Sequence, residues 1–360
     1  MYHIIHAPLL GAILSMSWSG ALLAQEPLDV AIVAPNAIGD VGWDHEIVRG
    51  KEVLEERFGD KLNVTVVDSV GEGPNATRAM NRLVANGTDI LILGSFGYLS
   101  DGLALAKRSP DLKVLHIGGY QNLPNFATFT VRHYQASYLC GMAAGYATKN
   151  QQLGVVAAFP LPEVLGILNA YVLGAQSVNP DLKPVKVVWL NAWYDPPRDR
   201  SSAESLISQG ADVVYSLFPG TPSAVATAEE KGVYAVTTLS DNSAHAPTKH
   251  LCAGQANFGV VYADVVQSVI DGTFEGKDTF AGVAEGAMEV AGLSKDLTEE
   301  QRAAILAKQD AMRDGSFDPF TGPVMNNDGS EAIASGKTLD STEIKSMDFL
   351  VQGIDTRLQN

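Results

Sequence analysis

The chain has 360 residues, 46% of them hydrophobic, enough for two domains with buried cores. A net charge of −16 gives no basic face for nucleic acid and none for an anionic membrane surface. Two cysteines, Cys140 and Cys252, exclude both a disulfide framework and a four-thiolate zinc site.

Residues 1–24 carry no charge other than His3 and His6, and Ala7 to Leu23 is apolar and small. This predicts a secretory leader cut after Ala24, and so a periplasmic protein. Past residue 25 no apolar run is long enough to span a membrane.

The mature chain alternates strand and helix. Leu28–Ala34 is a short apolar run, sized as a buried parallel strand. Trp43, Ile47, Gly50, Leu54 and Phe58 then recur at helical spacing. Further strands are predicted at 63–68, 89–93, 113–117 and 126–131, with helices between, one of them opened by Pro74. The rhythm restarts with a small-residue helix over 138–146. Strands follow at 153–159, 185–190, 212–216 and 233–237, separated by helices that include 202–209 and 223–231. A βαβα series run twice predicts an α/β protein of two doubly wound parallel sheets. From 283 onward the rhythm breaks. An amphipathic helix is expected over 298–312 and a hairpin over 322–329.

Catalytic signatures are missing. Gly71-Glu-Gly-Pro-Asn-Ala76 matches a dinucleotide loop, but it follows the second strand, and Pro74 removes an amide donor. A turn and a helix start explain it better. There is no Walker A loop and no G-x-S-x-G elbow. Five histidines follow the leader, none paired at zinc spacing, and His245 and His250 are read as solvent-facing loop residues. No metal or cofactor is expected. Cys140 and Cys252 read as small buried hydrophobes, and whether they pair is left open.

Aromatic and acidic residues stand instead at strand ends. Gly42-Trp43, Ser95-Phe96, Phe159-Pro-Leu-Pro-Glu163, Trp193-Tyr-Asp195 and Ser240-Asp241 each follow a predicted strand. Aromatic faces stack on a flat ring, and carboxylates take its edge hydrogen bonds. Trp43 also heads an apolar helix face, so core packing competes for it.

These motifs, with Ala228-Glu-Glu-Lys-Gly-Val-Tyr234, Pro319-Phe-Thr-Gly-Pro323 and Met347-Asp-Phe-Leu-Val-Gln-Gly353, carry a family likeness. From about residue 28 to the C-terminus the chain resembles the basic membrane protein family. These are substrate-binding subunits of ABC importers, related to the treponemal purine nucleoside receptor. The resemblance implies a type I periplasmic-binding-protein fold with a ligand cleft between two lobes. Lobe 1 would span 27–132 and 254–282; lobe 2 would span 133–253 and 283–360. It implies a monomer that captures a purine base or nucleoside by hinge closure and delivers it to an inner-membrane ABC permease. Trp43, Ser95, Phe96, Glu163, Trp193, Asp241 and Asn257 would line the site. The family's nucleoside binders use an Asp and a downstream Lys on ribose. Asp241 fits the first, but Gln255-Ala-Asn-Phe-Gly259 holds no Lys, which favours a free base such as adenine or hypoxanthine. Near relatives carry T-D-S-P where this chain reads Phe218-Pro-Gly-Thr-Pro222. Rival readings are purine nucleoside capture, a secreted nucleoside hydrolase-type enzyme, and a sensory receptor that presents ligand to a membrane partner.

Overall fold

The computed structural model describes residues 1, 3, 26–218 and 220–358. The expected leader and its cut therefore lie outside the described residues, Met1 and His3 apart. The first run is β1 (Leu28–Val33), α1 (Trp43–Phe58), β2 (Leu62–Val67), α2 (Pro74–Ala85), β3 (Ile90–Leu93), α3 (Leu99–Arg108), β4 (Lys113–Ile117) and β5 (Phe126–Val131). The second is α4 (His133–Ala147), β6 (Leu153–Ala157), α5 (Pro162–Val178), β7 (Val185–Trp189), α6 (Pro196–Ser208), β8 (Val213–Leu217), α7 (Ser223–Lys231), β9 (Tyr234–Leu239) and β10 (His250–Ala256). After these come α8 (Phe258–Ile270), β11 (Asp278–Ala281), β12 (Met288–Ala291) and α9 (Glu299–Arg313). The chain ends with the hairpin β13 (Val324–Met325) and β14 (Glu331–Ile333), then α10 (Ser341–Lys345) and β15 (Ile354–Asp355).

Two parallel sheets organise these elements. The first has the order β11-β5-β4-β3-β1-β2, the second β12-β10-β9-β8-β6-β7-β15. Within these two sheets, among the described residues, only the β10–β12 pair is antiparallel. The strands read as continuous apolar runs because helices cover both faces; every residue of β3 and of β6 is buried. The chain passes to the second sheet after β5, returns after β10, and leaves the first sheet again after β11.

Local chemistry sets the helix bounds. Gly42, at φ +90°, makes the sharp entry to α1. Gly50 then lets α1 lie against α8, since a Cβ there would stand 2.3 Å from the Tyr262 ring. Helices α4 and α5 approach as closely, because a Cβ on Gly141 would stand 2.0 Å from the Tyr171 carbonyl oxygen. Helix α6 begins at Pro196 rather than 202: the Asp195 carboxylate accepts from the Arg198 amide, and two prolines suit a first turn. Helix α4 begins at His133 rather than 138. The intervening polar residues look like a loop in sequence but are buried and bonded, as Ser137 Oγ is to the Ile167 carbonyl.

The stretch from His250 corrects a second expectation. It is not a solvent-facing loop but the strand β10, with His250 buried and its Nδ1 3.1 Å from the Gly292 carbonyl oxygen. His-Leu-Cys-Ala-Gly-Gln-Ala holds no β-branched residue, so it carries no strand signal. Because β10 pairs with its neighbours as far as Ala256, the chain crosses after that residue and not at 253. Cys140 on α4 and Cys252 on β10 are joined as a disulfide, with Cα atoms 5.5 Å apart. Among the described residues no helix is long and apolar enough to cross a membrane.

Candidate functional site

A doubly wound sheet opens a crevice beyond its strand C-termini, where the strand order reverses. In the first sheet that point lies between β1 and β3, in the second between β6 and β8. Trp43 follows β1 and Ser95-Phe96 follows β3; Phe159 follows β6, and Phe218 follows β8.

Aromatic rings connect the two crevices. The Phe218 ring stands 6.4 Å from Trp43, 6.4 Å from Trp193 and 5.2 Å from His133, edge-on to each. Trp193 also leans on Phe159 at 5.0 Å. Three residues at strand ends of the second sheet take left-handed backbone: Asn191 (φ +52°), Phe218 (φ +61°) and Leu239 (φ +76°). Such conformations cost about 1–3 kcal/mol each in non-glycine residues, and they collect where geometry matters more than stability.

The expected site residues separate into groups. Trp43 is half-buried: its Nε1 donates to the Gly94 carbonyl at 2.8 Å, and it packs edge-on against Phe258. It comes edge-on to Phe218 as well. Trp193 is 50% exposed and Phe96 63% exposed, Phe96 pairing with Tyr120 at 6.0 Å. Ser95 is buried and donates to Glu72 Oε1 at 2.5 Å. Asp241 Oδ1 accepts from the Ser243 amide at 2.8 Å and lies 3.7 Å from His250 Nε2, so this carboxylate is partly engaged at home. Asn257 precedes α8 and does not cap it with its side chain. Thus Trp43 and Trp193 meet through Phe218, and Glu163 joins them through His133, whereas Ser95 and Asp241 are held by separate local bonds and Asn257 is fixed through its main-chain amide to the Ala287 carbonyl.

Glu163 opens α5, its Oε1 3.8 Å from His133 Nε2. Burial pushes its carboxyl up to about 7, with Lys345 pulling the other way, although 45% of the side chain meets solvent. Burial lowers His133 to about 3, so its ring is neutral, and its Nδ1 has no hydrogen-bond partner among the described residues.

Phe218 and His133 are the residues that sequence reasoning missed. Phe218 enters the sequence reading only in the stretch that replaces T-D-S-P of near relatives, and strand order, not sequence order, puts β8 beside β6. His133 was weighed only as a metal ligand, and no His/Cys/Asp/Glu group suited to a metal occurs among the described residues.

The units around the two sheets touch across the cleft. Gly42 N donates to Ser240 Oγ at 3.0 Å, and Ser240 Oγ donates to Glu46 Oε1 at 2.8 Å. Next to this contact a cavity of about 20 Å³ is lined by Val41, Ser216, Thr237, Thr238 and Asn242. That volume suits a single water and is too small for a heterocycle. A larger cavity of about 210 Å³ lies apart from these residues, between α8 and β11.

Comparison with known proteins fits this geometry. Residues 28–313 match the family model Bmp, described as ABC transporter substrate-binding protein PnrA-like. A purine-binding protein of Brucella abortus is 34% identical over 94% of this chain and 96% of its own length. An ABC transporter nucleoside-binding protein of Lactococcus lactis is 24% identical over 58% of this chain and 64% of its own. In fold, the chain is similar to an ABC transporter solute-binding protein from Conexibacter woesei, with TM-score 0.69 and 18% identity over 81% of this chain and 98% of that one. The expected periplasmic-binding-protein architecture is therefore the observed one.

Proposed function

The chain belongs to the Bmp family of PnrA-like ABC transporter substrate-binding proteins, and from that premise we propose an extracytoplasmic receptor that captures a purine base by lobe closure. The observation that carries this reading is the aromatic line Trp43–Phe218–Trp193, which runs between two facing crevices. Flat apolar faces with polar groups at their edge suit a flat heterocycle. The relative named for purine binding supports the class of ligand, and relatives named as binding proteins favour binding over hydrolysis.

In this reading the units around the two sheets are the lobes, 27–132 with 257–282 and 133–256 with 283–360, joined where the chain crosses. Ligand bridging both lobes favours the closed state by its differential contacts. The closed form then hands its ligand to a membrane permease, as the family implies. The leader and its cut after Ala24 belong to the same proposal. A buried disulfide supports it, since such bonds persist in oxidising compartments.

A free base is preferred to a nucleoside. No Lys occurs from Gln255 to Gly259, and Asp241 is partly engaged with Ser243 and His250. A ribose hydroxyl buried without partners costs about 1–3 kcal/mol, or roughly tenfold and more in affinity. Calorimetry should rank adenine or hypoxanthine above adenosine and inosine. The reverse order overturns the preference, and no heat with any purine overturns the ligand class.

Glu163 gives a pH signature. Ionised, it accepts from the N–H edge of a base; protonated, it loses an acceptor. Its raised pKa leaves it partly protonated near neutrality, so affinity for adenine should climb severalfold between about pH 6 and pH 8. Glu163→Gln should flatten that profile. On folding the sign is opposite: the cost of a dehydrated carboxylate is absent below the unfolded value of 4.5 and grows as pH rises towards about 7. An affinity that falls with pH would show Glu163 donating rather than accepting.

A further inference from the structure

We propose that Ser240, Glu46 and Arg49 form a latch that holds the two lobes shut through the protein's own groups, beside the ligand slot and separate from it. Glu46 lies on α1 one turn beyond Trp43 and is only 2% exposed. Its carboxylate accepts from Ser240 Oγ at 2.8 Å and from Arg49 Nε at 2.8 Å. The same Ser240 hydroxyl accepts from the Gly42 amide at 3.0 Å. One hydroxyl from the second lobe thus joins a loop and a helix of the first.

Both halves of the latch are held stiffly. Leu239, in left-handed backbone, turns the chain so that Ser240 reaches across. Thr237 Oγ1 and Asn242 Nδ2 both donate to the Ser240 carbonyl, each at 2.9 Å. The buried Gln255 side chain donates to the Leu239 carbonyl and accepts from the Asp241 amide, both at 3.0 Å. On the other half, Arg49 Nη2 donates to the carbonyl of Ala256, the last residue of β10. That is where the chain crosses back to the first lobe. The Glu46–Arg49 ion pair therefore couples the latch to a crossing strand.

Opening separates Ser240 from Glu46 but also lets water reach the carboxylate, so the latch biases closure without locking it. Ligand affinity scales with the fraction of molecules in the closed form. The latch raises that fraction before any ligand contact is made. It acts chiefly on release, because departure requires these bonds to part.

X-ray scattering of the ligand-free protein tests this without reference to ligand identity. Ser240→Ala should raise the radius of gyration above wild type, and Glu46→Gln, which keeps one acceptor, should raise it less. With saturating adenine as probe, Ser240→Ala should return to the wild-type radius. Its apparent Kd for adenine should rise about tenfold, mostly through faster release. The double variant should lose less than the sum of the two single changes, because the Ser240–Glu46 bond is common to both. An unchanged radius in ligand-free Ser240→Ala overturns the latch. A raised Kd with that unchanged radius makes Ser240 a ligand contact instead. If adenine binds neither wild type nor variant, the purine reading fails and the scattering comparison decides the latch by itself.

Discussion

Replacing Cys140 and Cys252 together by alanine should lower folding stability by about 5 kcal/mol in a chain-entropy account of the bond. The disulfide joins residues 112 apart in sequence and so constrains a long loop of the unfolded chain. It ties α4 to β10, the helix and strand that follow and precede crossings between the lobes. Both residues are fully buried, so alanine is the fitting replacement; serine would leave a hydroxyl without water. Denaturant unfolding should show a lower midpoint, and thiol titration of the unfolded wild type should find no free cysteine. Affinity per folded molecule should stay near wild type, because neither sulfur belongs to the aromatic line. A wild-type midpoint in the double variant would show that the bond contributes nothing to folding.

Sequence reading reaches furthest where periodicity and burial agree. The bounds of β4, β5 and α7 follow from apolar runs with clear stops, and the observed elements match them. It reaches less far where pairing in space supplies what composition lacks. Strand β10 exists because β9 and β12 flank it, and neither neighbour is visible from its seven residues. The same limit hid Phe218. Residues after β1, β6 and β7 stand out because an aromatic is followed within four residues by a carboxylate, whereas Phe218 is followed by Pro-Gly-Thr-Pro, which holds none. Its place between two tryptophans follows from the order β8-β6-β7 and from the approach of the other lobe. Trp43 drew two readings: helical spacing marks it as core and its strand end marks it as cleft. The ring is half-buried, tied to the Gly94 carbonyl and edge-on to Phe218.

Truncation of Trp193 to alanine should weaken purine binding by about 1–3 kcal/mol, the scale of one base–aromatic stack. The ring follows β7 through Asn191, whose left-handed backbone turns the chain out of the sheet. Half of its surface meets solvent, and its described ring neighbours are Phe159 at 5.0 Å and Phe218 at 6.4 Å. A ring this exposed adds little to folding stability, because much of its surface stays in water in the folded protein. A core tryptophan would lose about 3–5 kcal/mol of stability on truncation. The expected pattern is thus a large change in affinity with a nearly unchanged unfolding midpoint for the ligand-free protein. Phenylalanine at 193 should recover part of the affinity, since it keeps a flat face at reduced area. The Gly220 amide donates to the Trp193 main-chain carbonyl at 2.6 Å, and that bond survives either substitution. The Phe218 turn therefore stays anchored, and the loss reports on the ring alone. A ligand-free variant that melts far lower, with affinity per folded molecule intact, would place Trp193 in the core and move the stacking surface to Trp43 and Phe218.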